Sequence, residues 1–419
     1  MIRYWCELAW LGGDAPDQAV QIDVEDGRIS AVAAGVAATA GATVLSGLTI
    51  PGLANSHSHA FQRALRGRTE AATRGSFWTW RDQMYALAQE LDDERLERLA
   101  RATFAEMALA GISLVGEFDY LHRSEVMMRA ARSAGIRMTL IDACYLHGGL
   151  PRFRDRDAEA WVERVTAVTP GPEVRMGAAI HSVRAVDRDS ARLVANTANH
   201  LGWPLHAHVS EQPAENQECR ERYGMTPLQV LDRAEALSPR FTAVHATHFT
   251  PEDGELLAAN ESFCCLCPTT ERDLADGIGR VHSRLTMGSD SQSVIDMFEE
   301  ARAVELDLRL DTGVRGQLDA AALAEGITGS GYASLGWPEG GRIATGALAD
   351  FVTVGLNSVR LAGTRSEDAL AAVMFAGTAA DVTDVHIGGR PVVRDGRHLS
   401  IKVTEELAAA IPAATPWAR

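Results

Sequence analysis

Lysine is almost missing from this chain. Lys402 is the only one in 419 residues, so nearly all of the 40 basic residues are arginines. That excludes any centre in which a carboxylated lysine in mid-chain bridges two metal ions. A one-metal site, or a second metal held by other ligands, remains. No run of about 18 apolar residues occurs, so no transmembrane helix is expected. The stretch Met1–Trp10 carries Glu7 and lacks a signal-peptide pattern, which makes a cytoplasmic protein the expectation. The six cysteines (Cys6, Cys144, Cys219, Cys264, Cys265, Cys267) form no disulfide framework, as suits a reducing compartment. Those in Ser262-Phe-Cys-Cys-Leu-Cys-Pro268 read as small core residues of a strand. Positive charge is also in deficit. A net charge of -16 excludes nucleic acid and anionic membranes as partners. It allows a small anionic substrate, provided a local group of arginines receives it.

What is present suits one large domain plus a smaller unit, with 46% apolar and 23% charged residues. Near the N-terminus, Gln21-Ile-Asp-Val-Glu25 and Arg28-Ile-Ser-Ala-Val32 alternate around Asp26-Gly27, a hairpin signature. The same texture returns at Asp350–Val354 and Val385–Val393. We expect 1–48 and 341–419 to combine into a small β-sandwich domain. Between them, short apolar runs alternate with helical stretches. The runs are Thr49–Leu53, Ser113–Phe118, Arg137–Asp142, Val174–Ile180, Pro204–Val209, Phe241–His245, Ser262–Leu266 and Leu285–Ser289. Eight strands alternating with helices over 49–340 predict an α/β (β/α)8 TIM-like barrel.

The polar clusters fall where these strands end, which is where such barrels carry chemistry. His57-Ser58-His59 sends two imidazoles to one face by strand alternation, a geometry that grips zinc or iron. His206-Ala-His208-Val-Ser-Glu211, His245 and Ser289-Asp290 close three further candidate strands. Together they predict a metal site at the barrel mouth. His206 shares the face of His208 and either supports a ligand or is merely buried.

Pro51-Gly-Leu-Ala-Asn-Ser-His-Ser-His59, His208-x-x-Glu211, His245 and Ser289-Asp290 resemble the deaminase branch of the amidohydrolase superfamily. Asn55–Arg63, Phe77-Trp-Thr-Trp-Arg-Asp82, Gly116-Glu-Phe-Asp-Tyr120, His181-Ser-Val-Arg184, His206–Gln212 and Cys267-Pro-Thr-Thr-Glu271 are similar to the N-formimino-L-glutamate deiminases within that branch. This resemblance implies hydrolysis of N-formimino-L-glutamate to N-formyl-L-glutamate and ammonia, in histidine degradation. It implies that His57, His59, His208 and Asp290 hold one divalent ion, zinc or else iron, whose bound water has a pKa of about 7. Hydroxide would then attack the amidine carbon. Asp290 and Glu211 would transfer protons, and His245 would hydrogen-bond the water or the tetrahedral intermediate. Arg81 and Arg184 would bind the glutamate carboxylates, with Gln62 and Tyr120 as neutral donors and His181 beside them. The family's pattern has a histidine where this chain has Asp119, a position that alternation turns away from Tyr120.

Two competing functions are a deaminase of a cyclic purine- or pterin-like substrate and a non-catalytic barrel. The first wants stacking surfaces and amides rather than two arginines. The second is at odds with the full set of His57, His59, His208, Asp290 and Glu211. Trp78 and Trp80 either cap the pocket or anchor a helix, with core packing the expectation, and Asp92-Asp-Glu94 reads as a helix start. Phe298–Leu310 reads as an amphipathic helix that offers a face for a homodimer, without deciding it.

Overall fold

The structure is a computed structural model that describes residues 1–69 and 76–411. Its strands are β1 (Ile2–Ala9), β2 (Asp17–Glu25), β3 (Arg28–Ala33) and β4 (Thr43–Pro51), then β5 (Leu53–Ser58), β6 (Ile112–Asp119), β7 (Arg137–Cys144) and β8 (Val174–Ile180). They continue with β9 (Leu205–Val209), β10 (Phe241–His245), β11 (Phe263–Leu266) and β12 (Arg284–Met287), and finish with β13 (Phe351–Val354), β14 (Val382–Ile387), β15 (Arg390–Arg394) and β16 (Arg397–His398).

Both chain ends build one eight-stranded sheet in the order β16-β15-β14-β13-β4-β1-β2-β3. The hairpin expected at Asp26-Gly27 is there. Both residues have positive φ (49° and 76°), as a two-residue type I′ turn requires, and Glu25 pairs with Arg28. Tyr4, Ile22, Ile29 and Phe351 pack a separate small core.

The middle of the chain is the barrel. Strands β5 to β12 pair in sequence, each parallel to the next. β6 and β7 are buried at every position, as strands covered on both faces are. Asp92 caps the helix Asp93–Leu109 by accepting from Arg95 N, so the acidic run is a helix start. No helix among the described residues is long and apolar enough to cross a membrane.

The expected strand Thr49–Leu53 is divided between the two sheets. Thr49–Pro51 ends β4 in the terminal sheet, where Ile50 pairs with Val352, and the barrel strand begins at Leu53. The chain crosses at Gly52, whose N–H donates to Asp350 O at 2.9 Å. A Cβ on Gly52 would lie 2.2 Å from Ser113 Oγ, so only glycine fits the crossing.

The barrel closes at its mouth. Asp290 N donates to His57 O at 2.9 Å, and His59 N donates to Asp290 O at 3.0 Å, a parallel bridge between the ends of β5 and β12. The closing hydrogen bonds and the candidate ligands therefore belong to the same residues.

Candidate active site

Every sequence-predicted site residue lies at or near the C-terminal end of a barrel strand or on the segments facing it. His57 is in β5 and His59 follows it; His208 is in β9, with Glu211 two residues beyond its end. His245 is the last residue of β10, and Asp290 lies three residues past β12. Tyr120 and His181 directly follow β6 and β8. Gln62 stands on the 3-10 turn Ala60–Leu65 and Arg81 on the helix Phe77–Glu90.

The expected ligands meet in two overlapping clusters that share His57: His57, His59 and Asp290 in one, His57 and His208 with His245 in the other. His57 Nε2 lies 3.1 Å from His208 Nε2 and 3.3 Å from Asp290 Oδ1, and His59 Nε2 lies 3.4 Å from the same oxygen. Ligands about 2.05 Å from a tetrahedral ion stand about 3.3 Å apart. The ring tautomers agree with that spacing. His59 Nδ1 donates to Phe118 O at 3.1 Å and His208 Nδ1 to His181 O at 3.0 Å, so both Nε2 lone pairs face inward. Burial, joined by the neighbouring imidazoles, holds His57 and His208 well below the usual histidine pKa. Burial and His57 lower His59 to about 3. Neutral imidazoles and a carboxylate gathered around His57 are donors of the kind a divalent cation takes.

His245 has the opposite character. Burial disfavours its charge, but the hydrogen bond to Glu271 and the charges of Glu211 and Asp290 prevail, raising its pKa to about 10. Its Nε2 is 3.9 Å from both Glu211 Oε1 and Asp290 Oδ2. The backbones of His245 and Asp290 are left-handed, φ 71° and 42°, conformations rare outside glycine and held here by their surroundings.

A cavity of about 260 Å³ opens over this cluster. Gln62, Arg81, Tyr120, His181, Arg184 and Glu211 all line it, while His57 sits behind the wall, fully buried. Arg184 Nη2 donates to Glu211 Oε2 at 3.2 Å, and Gln62 Nε2 donates to Tyr120 OH at 2.9 Å. Gln62 Oε1, Arg81 Nε and Arg184 Nε are buried with no hydrogen-bond partner among the described residues. Unsatisfied polar atoms on cavity-lining residues are the mark of a polar ligand site.

Trp78 departs from expectation. It is 40% exposed at the cavity rim, and the Arg81 guanidinium stacks 4.7 Å from its ring. The helix Phe77–Glu90 buries Met84, Leu87 and Ala88 instead, leaving its first turn on the rim. Trp80 is half-buried and also lines the cavity. His206 turns its Nε2 to Ser334 O at 3.2 Å and does not line the cavity. Asp119 accepts from Leu121 N and Arg123 N, away from the site.

Residues 48–392 match the Amidohydrolase family. The chain belongs to the amidohydrolase family. This amidohydrolase is 35% identical over 397 residues to formimidoylglutamate deiminase of Pseudomonas aeruginosa, spanning 85% of this chain and 87% of that protein. It is 26% identical over 399 residues to 5-methylthioadenosine/S-adenosylhomocysteine deaminase of Shouchella clausii, spanning 90% of each. The crystal structure of an amidohydrolase from Brucella melitensis superposes with a TM-score of 0.88 at 29% identity, covering 98% of this chain and 99% of that one.

Sequence reasoning assigned no role to three supports of the amidohydrolase centre. Glu117 is buried and accepts from Ser58 Oγ at 2.6 Å and Ala60 N at 2.8 Å, so it pins the segment between the two ligands. Asn55 donates to Ser289 Oγ at 2.6 Å, tying β5 to the Asp290 loop. Glu271 Oε1 lies 3.4 Å from His245 Nδ1. All three sit inside stretches that carried the family resemblance, and that was the signal available.

Proposed function

We propose that this amidohydrolase hydrolyses N-formimino-L-glutamate to N-formyl-L-glutamate and ammonia, as a cytoplasmic enzyme of histidine breakdown. One divalent ion, zinc in the first instance, would be held by His57, His59, His208 and Asp290. When bound, such an ion is a Lewis acid that makes water available as a nucleophile near neutral pH.

The protein's own groups do the rest. Asp290 presents its carboxylate to His57, His59 and His245, where it can accept a proton from water. Glu211, steadied by Arg184, stands 3.9 Å from His245 and delivers a proton to the nitrogen that leaves as ammonia. His245, carrying positive charge at neutral pH, donates a hydrogen bond to the oxygen added at the amidine carbon. Arg81 and Arg184 supply forked donors for the two carboxylates. Glu211 takes one of the five donors of Arg184 and leaves the others for substrate.

The observation that carries this reading is the pair of arginines on the walls of a cavity that ends at the histidine cluster. The 35% identical deiminase supports the same substrate. A cyclic base is the second reading, favoured by Trp78, Trp80 and Tyr85 along the cavity. Two of those rings are already engaged, since Arg81 stacks on Trp78 and Tyr85. Ammonia release should be followed with N-formimino-L-glutamate, N-formimino-L-aspartate and a panel of purines and pterins. Turnover confined to the formimino acids is expected; turnover confined to a cyclic base would overturn the proposal.

A further inference from the structure

The amidohydrolase cavity has a far wall to which the family resemblance assigned no role. Tyr145 directly follows β7, is 6% exposed, and lines the cavity with Gly148 and Gly149. Its ring lies 4.2 Å from that of His181, and its other flank rests on Phe153. Gly149 has a φ of +55°, and a Cβ there would come within 2.4 Å of the Tyr145 hydroxyl oxygen. The glycine lets the tyrosine hydroxyl tuck against the loop backbone at the cavity wall.

Tyr145 shares the cavity lining with Tyr85 and both arginines, and the charges of Arg184 and Arg81 both reach it. Tyr85 in turn carries the Arg81 guanidinium 5.3 Å from its ring centroid. Burial, with Tyr85 beside it, keeps the Tyr145 hydroxyl protonated at any working pH, so it remains a donor. Two cations and two phenols lining one cavity make a cradle for carboxylate oxygens. The cationic forks fix charge, and the neutral hydroxyl fixes distance.

We propose that Tyr145 is a specificity-determining residue: its hydroxyl donates to the substrate carboxylate farthest from the amidine and selects a glutamate-length over an aspartate-length dicarboxylate. A shorter substrate anchored at the histidine cluster would not reach this hydroxyl, and would leave it and the arginine donors without an acceptor. The inference rests on the proposed deimination, so wild-type and variant chains are tested side by side.

The experiment is steady-state kinetics of the zinc-loaded full chain and of Tyr145→Phe, with N-formimino-L-glutamate and N-formimino-L-aspartate. Phe keeps the packing on His181 and Phe153 and removes one oxygen. KM for the glutamate derivative should rise about tenfold with kcat within about threefold, the loss of one hydrogen bond to a charged group. The glutamate-to-aspartate ratio of kcat/KM should fall by about the same factor. Tyr85→Phe, which removes the hydroxyl beside Tyr145, should shift that ratio in the same direction by less. Wild-type turnover with an unchanged ratio in Tyr145→Phe overturns the role of Tyr145 and leaves the deimination standing. A kcat loss at constant KM overturns it too. Failure of the wild type on both formimino acids overturns the deimination, and this inference with it.

Discussion

His245 and Glu271 form a buried pair in which Glu271 Oε1 lies 3.4 Å from His245 Nδ1 and also accepts Cys267 N at 2.9 Å. With Nδ1 committed to Glu271, Nε2 is the ring nitrogen that faces Glu211 and Asp290, 3.9 Å from each. The carboxylate does two things for the imidazole: it sets its rotation and it favours its cation.

Glu271→Gln keeps the shape and removes the charge. We expect kcat to fall about 10- to 100-fold, with KM for the amidine substrate changed little, because His245 sits at the reacting end of the cavity. Zinc per chain should stay at the wild-type value. Steady-state kinetics and metal analysis on one preparation check both halves, and a variant that loses metal instead would show that Glu271 supports the ligands.

The barrel seam supplies the next case. Gly288 packs against β5 so closely that a Cβ would lie 2.6 Å from His57 Cβ and 2.7 Å from His57 O. In Gly288→Ala the seam must open where Asp290 and His57 bond across it. Overpacking of this kind costs about 1–3 kcal/mol. Melting temperature and zinc content should both drop, and activity should follow the metal. A variant that melts lower yet keeps full zinc would separate seam closure from ligand placement.

Much of this arrangement was legible in the sequence, for a physical reason. Parallel strands covered on both faces, such as β6 and β7, are mostly apolar, and the HxH alternation of His57 and His59 follows from strand geometry alone. The rest depends on distance in space. Glu271, on the short helix Pro268–Asp273, and His245, at the end of β10, are 26 residues apart with no local period to join them. Trp78 looked like core because the pattern of a short helix does not say which face meets the protein and which meets a cavity. The switch of sheets at Gly52 is set by the hydroxyl of Ser113, a contact sixty-odd positions away that no reading of Pro51-Gly52 contains.

Arg184 tests the substrate directly. It lines the cavity and donates to Glu211 at 3.2 Å, so Arg184→Met removes a carboxylate fork and leaves Glu211 without its cation. We expect kcat/KM on N-formimino-L-glutamate to fall by about 100-fold or more, the scale of losing one member of a buried charged pair. Both kcat and KM should move. In Arg81→Met the loss should fall mainly on KM, because Arg81 is 34% exposed at the side chain and touches no catalytic carboxylate. Equal kinetic profiles for the two variants would contradict this division of labour.

Acid stability can be tested far from the metal, at His386 in β14. Its ring stacks 4.8 Å from Phe351 and stands edge-on to Tyr4 at 4.6 Å. Burial, aided by the charge of Arg394, lowers its pKa to about 4. In the unfolded chain an ordinary histidine titrates near 6.5. The unfolded state therefore takes up a proton as pH falls below about 6.5, while the folded state does so only near 4. Stability from this residue is complete above pH 6.5 and is lost as pH drops toward 4, amounting to about 2 kcal/mol at pH 5. His386→Phe keeps the ring stack and deletes the titration. Its melting temperature should fall less than that of the wild type between pH 8 and pH 5, by a few degrees. Parallel curves for the two proteins would mean that His386 is already charged in the folded sheet, and that the small core of Tyr4 and Phe351 tolerates an imidazolium.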